Sequence, residues 1–126
     1  MYKKIIAVLT IAAATLLISA PAAHAHYVRY SWDPGCGPIG MSQCGYSSVS
    51  KTHKTVYACD TYADGVGLWT KYVRSDGVSG IVKDGNGSKS GCGKYTAPSG
   101  KYIDRIRPCR NHGSYITCLE KWKYIE

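Results

Sequence analysis

The segment TVYACDTYADGVGLWTKYVRSDGVSGIVK, residues 55–83, carries the pattern that decides the fold. Short runs rich in Val, Ile, Tyr, Trp and Thr alternate with turn sequences such as Ala63-Asp64-Gly65 and Ser75-Asp76-Gly77. Asp-Gly favours tight hairpins because these turns require positive φ. Apolar residues do not recur at helical spacing in this part of the chain. The segment therefore predicts short antiparallel strands joined by hairpins.

The same alternation of β-rich runs and turn sequences continues to the end of the chain. We predict seven strands in total: Thr55–Thr61, Gly67–Arg74, Gly80–Lys83, Gly93–Tyr95, Tyr102–Arg107, Tyr115–Leu119 and Trp122–Ile125. Such a series predicts an all-β fold, a small antiparallel β-sandwich or barrel. Ile103 and Ile106 lie three residues apart, which breaks strict alternation and predicts a β-bulge near Asp104-Arg105.

Residues 26–54 have a different composition, with the Gly-Pro-rich segment 33–38 and the polar segment 47–52. They contain few apolar residues and no sustained period, which is typical of a segment that packs poorly by itself. We therefore divide the chain into an irregular N-terminal arm, residues 26–54, and a β domain, residues 55–126. On this division the β domain is expected to stay folded when the arm is removed.

Residues 1–25 resemble a cleaved secretory signal peptide. Lys3 and Lys4 form a positive n-region, residues 5–20 are mainly apolar, and Ala23-His24-Ala25 supplies a small-x-small cleavage site. A transmembrane anchor is the alternative, but Pro21 and the polar residues from His24 onward fit a cleaved signal better. We therefore expect a secreted, extracellular protein without stable membrane anchoring.

All six cysteines lie after this segment, and in an oxidising compartment an even number indicates a disulfide framework. A metal site would need closely spaced cysteine pairs or histidines at ligand spacing, so we predict no metal. Cys109 and Cys118 flank a predicted hairpin turn, and Cys36 and Cys44 lie close together within the arm. The remaining pair completes the prediction: Cys36–Cys44, Cys59–Cys92 and Cys109–Cys118.

The sequence shows no nucleophile elbow, phosphate loop or zinc-protease motif. Glu120, His112 and Arg107 are the residue types of a small ribonuclease, but nothing in their spacing selects them. We therefore predict a non-catalytic protein without a cofactor. The net charge of +8 is compatible with binding to an acidic cell envelope, with binding to nucleic acid, or with solubility alone. Apart from Arg105, Arg107 and Arg110, the cations are scattered, which argues against a nucleic-acid partner.

The segment His26-Tyr27-Val28-Arg29-Tyr30-Ser31-Trp32 places three aromatic residues ahead of the small Cys36–Cys44 loop. Aromatic residues are enriched among interface hot spots, and an extended segment can add to a sheet edge or enter a cleft. The alternative is that these rings fold back onto the protein's own sheet. The residues predicted to bind a partner are Tyr27, Val28, Tyr30, Trp32, Ile39 and Met41.

The β domain also resembles a known family. The similarity covers residues 55–126 and rests on VYACDTYADG (56–65), Gly91-Cys92-Gly93, IDRIRPCR (103–110) and Cys118. These motifs are similar to those of small secreted bacterial proteins that include the adaptor subunits of umbrella toxin particles. The resemblance implies an adaptor without catalysis that links a lectin subunit to a large toxin polypeptide. Cys36 and Cys44 have no counterpart in that four-cysteine pattern.

Two further classes remain open from the sequence. A stand-alone secreted antibacterial protein would also be small, basic, disulfide-bonded and rich in β-structure. A protease inhibitor would use a rigid exposed loop, and Gly37-Pro38-Ile39-Gly40-Met41 between Cys36 and Cys44 is the candidate. Growth inhibition by the purified protein favours the first class, and stoichiometric inhibition of a secreted protease favours the second.

Overall fold

The computed structural model describes residues 27–32, 35–37, 39–40 and 42–126. The predicted signal peptide, residues 1–25, and Met41 lie outside the described residues. The described part of the chain forms nine strands, β1 Val28–Ser31, β2 Gly45–Val49, β3 Thr55–Asp60, β4 Gly67–Arg74, β5 Ser79–Lys83, β6 Gly93–Thr96, β7 Ile103–Asn111, β8 Ile116–Cys118 and β9 Lys123–Tyr124. Across these residues, no helix is long and apolar enough to span a membrane.

The strands form two sheets in which every pairing is antiparallel. One sheet has the strand order β1-β2-β3-β6. The other contains β5-β4-β7-β8, and β9 also pairs with β7. The two sheets pack face to face, so the predicted all-β sandwich is confirmed.

The core lies between the sheets and is thin. Its buried residues are Val28, Val49, Val56, Ala58, Tyr72, Val82, Ala97, Ile103 and Ile106. Tyr72 and Tyr95 stack across the two sheets with ring centroids 4.8 Å apart. Ser47 and Thr70 are also fully buried, and their hydroxyl oxygens lie 2.6 Å apart. The pairing of these hydroxyls offsets the cost of burying polar groups in the core.

Two strands of the four-stranded sheet, β1 and β2, lie in the segment that the sequence set apart as an arm. β2 pairs with β3 over its whole length, and β1 pairs with β2. Val28 and Val49 face each other in this register and are both in the core. The described part of this segment therefore supplies two of the four strands of that sheet.

The structure contains three disulfides, Cys36–Cys44, Cys59–Cys92 and Cys109–Cys118, which are the pairs that the sequence predicted. Cys109 and Cys118 lie directly opposite each other on β7 and β8. The predicted bulge is also present. Val73 and Arg74 on β4 pair with Arg105 and Ile103 on β7, so Asp104 has no partner on β4. The bulge lets Ile103 and Ile106 both face the core.

Candidate functional site

The aromatic N-terminal segment is folded onto the protein rather than extended into solvent. Val28 faces the core, and Tyr30 packs against it. The Tyr30 hydroxyl donates a hydrogen bond to the Lys121 carbonyl, with 2.9 Å between the oxygens. Val28 and Tyr30 therefore contact the protein's own sheets, as in the alternative that this segment folds back, and their role in partner binding stays a prediction. Strand alternation explains the result, because residues 28 and 30 share the face that β1 turns toward the second sheet.

The other predicted partner-binding residues differ in exposure. Tyr27 is 48% exposed and Ile39 is 77% exposed, whereas Trp32 is half-buried. Ile39 lies between Gly37 and Gly40, where the Gly40 N–H donates to the Gly37 carbonyl at 3.1 Å. The structure therefore leaves Tyr27 and Ile39 accessible, but it does not bring them together with Tyr30 into one surface.

Strand β1 is an edge with unused main-chain groups. The Trp32 N–H donates to the Gly45 carbonyl at 3.0 Å, which continues the β1–β2 register by one hydrogen-bonded pair. Hydrogen-bonded and non-bonded pairs alternate in an antiparallel ladder. The N–H and C=O groups of Arg29 and Ser31 therefore point away from β2. No main-chain group of the described residues bonds to them.

A groove runs beside this edge, between the two sheets. It has a volume of about 400 Å³ and is lined by Tyr27, Val28, Arg29, Lys123, Tyr124 and Glu126. The Arg29 side chain is already fixed, since its guanidinium lies 3.6 Å from the centre of the Tyr46 ring and donates to the Gln43 amide oxygen at 2.8 Å. The groove thus combines exposed tyrosines with a free strand edge, which is the arrangement that accepts an added strand.

The outer face of the five-stranded sheet is basic and aromatic. Register places its residues in three rows across the sheet, namely Lys83-Trp69-Cys109-Cys118, Ile81-Lys71-Arg107 and Ser79-Val73-Arg105-Tyr124. Residues paired across strands share a face, so these cations and rings project on the same side. We call this set, together with Trp122, the basic-aromatic face.

Cations on this face lie against aromatic rings. The Arg107 guanidinium lies 4.5 Å from the centre of the Trp122 ring, and that of Arg105 lies 5.2 Å from it. The Lys83 ammonium lies 4.4 Å from the centre of the Trp69 ring. Such stacking holds flexible cations in fixed positions. Trp122 also forms one wall of a groove of about 460 Å³ that Lys71 and Ile81 line.

Sequence analysis did not identify the basic-aromatic face, although a signal for it exists. On β4 the alternate residues are Trp69 and Lys71, and on β7 they are Arg105 and Arg107. Consecutive outward positions that are basic or aromatic distinguish these strands from an ordinary solvated strand. The signal needs the correct strand register and the position of Trp122, which follows from the pairing of β9 with β7.

An ion pair between the buried Arg110 and the more exposed Asp64 lies near one end of the sandwich. The Arg110 guanidinium bonds the Asp64 carboxylate at 2.6 Å, the Val66 carbonyl at 3.3 Å and the Cys36 sulfur. Burial raises the pKa of Asp64, but the hydrogen bonds from Arg110 and the Val66 N–H outweigh it and hold the pKa below its ordinary value. Arg110 thereby joins the Cys36–Cys44 loop to the end of β7.

The possible catalytic residues do not form a site. His112 Nε2 lies 2.9 Å from the Thr117 hydroxyl, and its ring stacks on Tyr115. Arg107 lies against Trp122, and among the described residues no contact joins Arg107, His112 and Glu120. The described residues also contain no group of three or more His, Cys, Asp or Glu arranged to hold a metal ion.

Comparison with known proteins gives no assignment, since the chain matches no protein-family profile, no curated protein and no solved structure. The functional argument therefore rests on the strand edge and the surfaces of the sandwich.

Proposed function

We propose that the protein is an exported, non-catalytic binding module that joins other exported proteins. Three disulfides in a small domain are typical of extracellular proteins and support the exported location. The single observation that carries the binding role is the free edge of β1, where Arg29 and Ser31 present unpaired main-chain groups beside an open groove.

An extended segment of a partner fits this edge. Adding a strand to β1 satisfies the outward N–H and C=O groups of Arg29 and Ser31, and the neighbouring side chains then select the sequence. Tyr27 and Tyr124 line the groove and supply aromatic contact area. In this role the main chain of β1 carries the partner-binding site, whereas the sequence prediction used the side chains of Tyr27, Val28, Tyr30, Trp32, Ile39 and Met41.

The resemblance to umbrella toxin adaptors supplies candidate partners. An adaptor in such a particle joins a lectin subunit to a large toxin polypeptide, so the strand that adds to β1 belongs to one of these two subunits. The competing antibacterial role makes a different prediction, since that protein would inhibit bacterial growth alone and would bring down no exported partner.

Ser31→Pro tests the edge directly. Proline removes the outward N–H of Ser31 but keeps the bonds to β2, so the fold is expected to tolerate it. Co-purification of the partner from culture fluid is expected to fall at least about tenfold, because an unmatched acceptor in an interface costs about 1–3 kcal/mol. Ser31→Ala is the matched control, since it removes the hydroxyl that accepts a hydrogen bond from Gln43 but keeps the main-chain N–H of residue 31.

Three measurements separate the outcomes. Thermal melting of both variants should match that of the unmodified protein, which shows that the sheet is intact. Normal partner recovery with Ser31→Pro would show that β1 is not the docking edge. Growth inhibition by the unmodified protein, without any co-purified exported protein, would contradict the proposed function as a whole.

A further inference from the structure

We propose that the basic-aromatic face is a second binding site, and that its ligand is a carboxylate-bearing polysaccharide. This face belongs to the five-stranded sheet, whereas the proposed docking edge, β1, belongs to the other sheet. Tyr124 borders both sites, but Lys71, Arg107 and Trp122, which carry this inference, do not line the groove at β1. The inference assigns the module an additional contact with an acidic glycan outside the cell.

The first argument is the charge of the face. Lys71 and Arg107 are directly paired at its centre, and Lys83 and Arg105 lie in the adjacent rows. Among the described residues, the ion pairs are Arg74–Asp76, Arg105–Asp104 and Arg110–Asp64. Of the four cations, only Arg105 is paired with a carboxylate, which leaves the central two available to an external anion.

The second argument is the fixed position of Arg107. The Arg107 guanidinium lies against the Trp122 ring and its Nε is buried, so its Nη groups are the donors that can reach a carboxylate oxygen. Arg107 Nη1 also lies 3.5 Å from the Leu119 carbonyl, which limits its rotation further. A cation held in this way loses little conformational entropy when it binds an anion.

The third argument is the groove beside Trp122. Its side-chain lining on this face is mainly apolar, from Val73, Ile81 and Trp122, with Lys71 as the cation. A sugar ring presents a C–H face and an edge of polar groups. It can therefore lie against the apolar wall while its carboxylate reaches Lys71 or Arg107. At about 460 Å³ the groove lies within the size range of small-molecule sites.

The arrangement favours a glycan over other anionic polymers. Protein interfaces have a centre depleted of charge and a polar rim, whereas this face has Lys71 and Arg107 at its centre. Single-stranded nucleic acid requires a basic groove that follows the phosphate backbone together with freely accessible stacking rings. Here three of the four cations lie against a ring, and the Trp122 and Trp69 rings each have a cation over one face.

The test uses polygalacturonate as the probe and fully methyl-esterified polygalacturonate as the uncharged control of the same backbone. Binding is measured by affinity electrophoresis and titration calorimetry at low ionic strength. The acidic polymer is expected to bind and the ester to bind at least about tenfold more weakly, because the charged hydrogen bonds are lost. Lys71→Gln and Arg107→Gln should each weaken binding by a similar factor.

The control variant is Lys51→Gln with Lys89→Gln, which removes two exposed charges outside the face. This pair should change binding less than about twofold, the effect of general charge alone. The proposal would be overturned if the control and face variants lost the same amount of affinity for polygalacturonate, or if the unmodified protein did not bind this polymer. Tighter binding of poly-glutamate or oligo-dT would instead assign the face to an acidic protein or to nucleic acid. Partner recovery through β1 stays unchanged in all face variants.

Discussion

A chain that begins at Thr55 is expected to show no cooperative thermal transition. Removing the preceding residues takes β1 and β2 from the four-stranded sheet and leaves β3 and β6 as its only pair. It also exposes the inner surfaces of Val56 and Ala58, which are fully buried in the intact protein. Two-stranded sheets are marginal at best in water, so the truncated chain should resemble an unfolded or molten protein.

The control for this experiment is a chain that begins at Tyr27, which keeps both strands. It should melt cooperatively, as measured by circular dichroism and calorimetry. A milder variant, Val49→Ala, should remain folded but lose about 2 kcal/mol of unfolding free energy, because it leaves a cavity at a fully buried position. Cooperative melting of the chain from Thr55 would show instead that β1 and β2 are an addition to an independent core.

Strands with clear alternation and Asp-Gly turns were predicted from sequence nearly to the residue. The prediction for β4, Gly67–Arg74, has the observed bounds, and β5 begins one residue earlier than predicted. Strand β4 alternates buried and partly exposed positions from Gly67 to Tyr72, and the turn that follows it contains glycine at positive φ, Gly77. Local sequence was sufficient there because pattern and turn chemistry agree.

Strand β2 was missed because its buried positions are polar. In the sequence Gly-Tyr-Ser-Ser-Val, both serines are almost fully buried, yet such a segment has the composition of a loop. The buried Ser47 hydroxyl donates a hydrogen bond to the Thr70 hydroxyl on the opposite sheet, which itself donates to the Tyr57 carbonyl. A hydroxyl pair between two sheets is a tertiary contact, so no local pattern predicts it. Once β2 was missed, β1 had no visible partner either.

The candidate binding surfaces were predicted less well than the fold. Sequence identified the aromatic residues near the N-terminus but could not determine which of them face inward, since that depends on the pairing of β1 with β2. The basic-aromatic face depends on contacts between Trp122 and the arginines of β7, which are distant in the chain. Side-chain direction follows from register, and register is a property of the whole sheet.

Asp64→Ala is expected to destabilise the protein by about 3 kcal/mol, more than Arg110→Met, although the two residues form one ion pair. The reason is their unequal burial, since the side chains of Arg110 and Asp64 are 7% and 26% exposed. Removing Asp64 leaves a buried guanidinium whose Nε already has no partner. Removing Arg110 leaves a carboxylate that water reaches, which should cost only about 1–2 kcal/mol. Chemical denaturation of both variants measures the difference.

The pH dependence should separate this charge effect from simple loss of packing. The folded-state pKa of Asp64 lies below its ordinary value of 3.8. The ionised carboxylate therefore stabilises the folded protein at pH values above 3.8. This stabilisation is lost as the pH falls from 3.8 through the lower folded-state pKa. The stability difference between the unmodified protein and Arg110→Met should therefore shrink below about pH 4. Asp76, whose pKa is about 2 beside Arg74, contributes equally to both proteins and does not disturb the comparison.

The double variant Asp64→Ala with Arg110→Met completes the argument. We expect an unpaired buried charge to cause most of the stability loss in Asp64→Ala. In that case, replacing the charge by an apolar side chain should restore part of the stability. The double variant should then unfold at a higher denaturant concentration than Asp64→Ala alone. Additive losses would show that the pair contributes through packing only. In that case Arg110 would still connect β7 to the Cys36–Cys44 loop, but through its contacts with the Val66 carbonyl and the Cys36 sulfur and not through its charge.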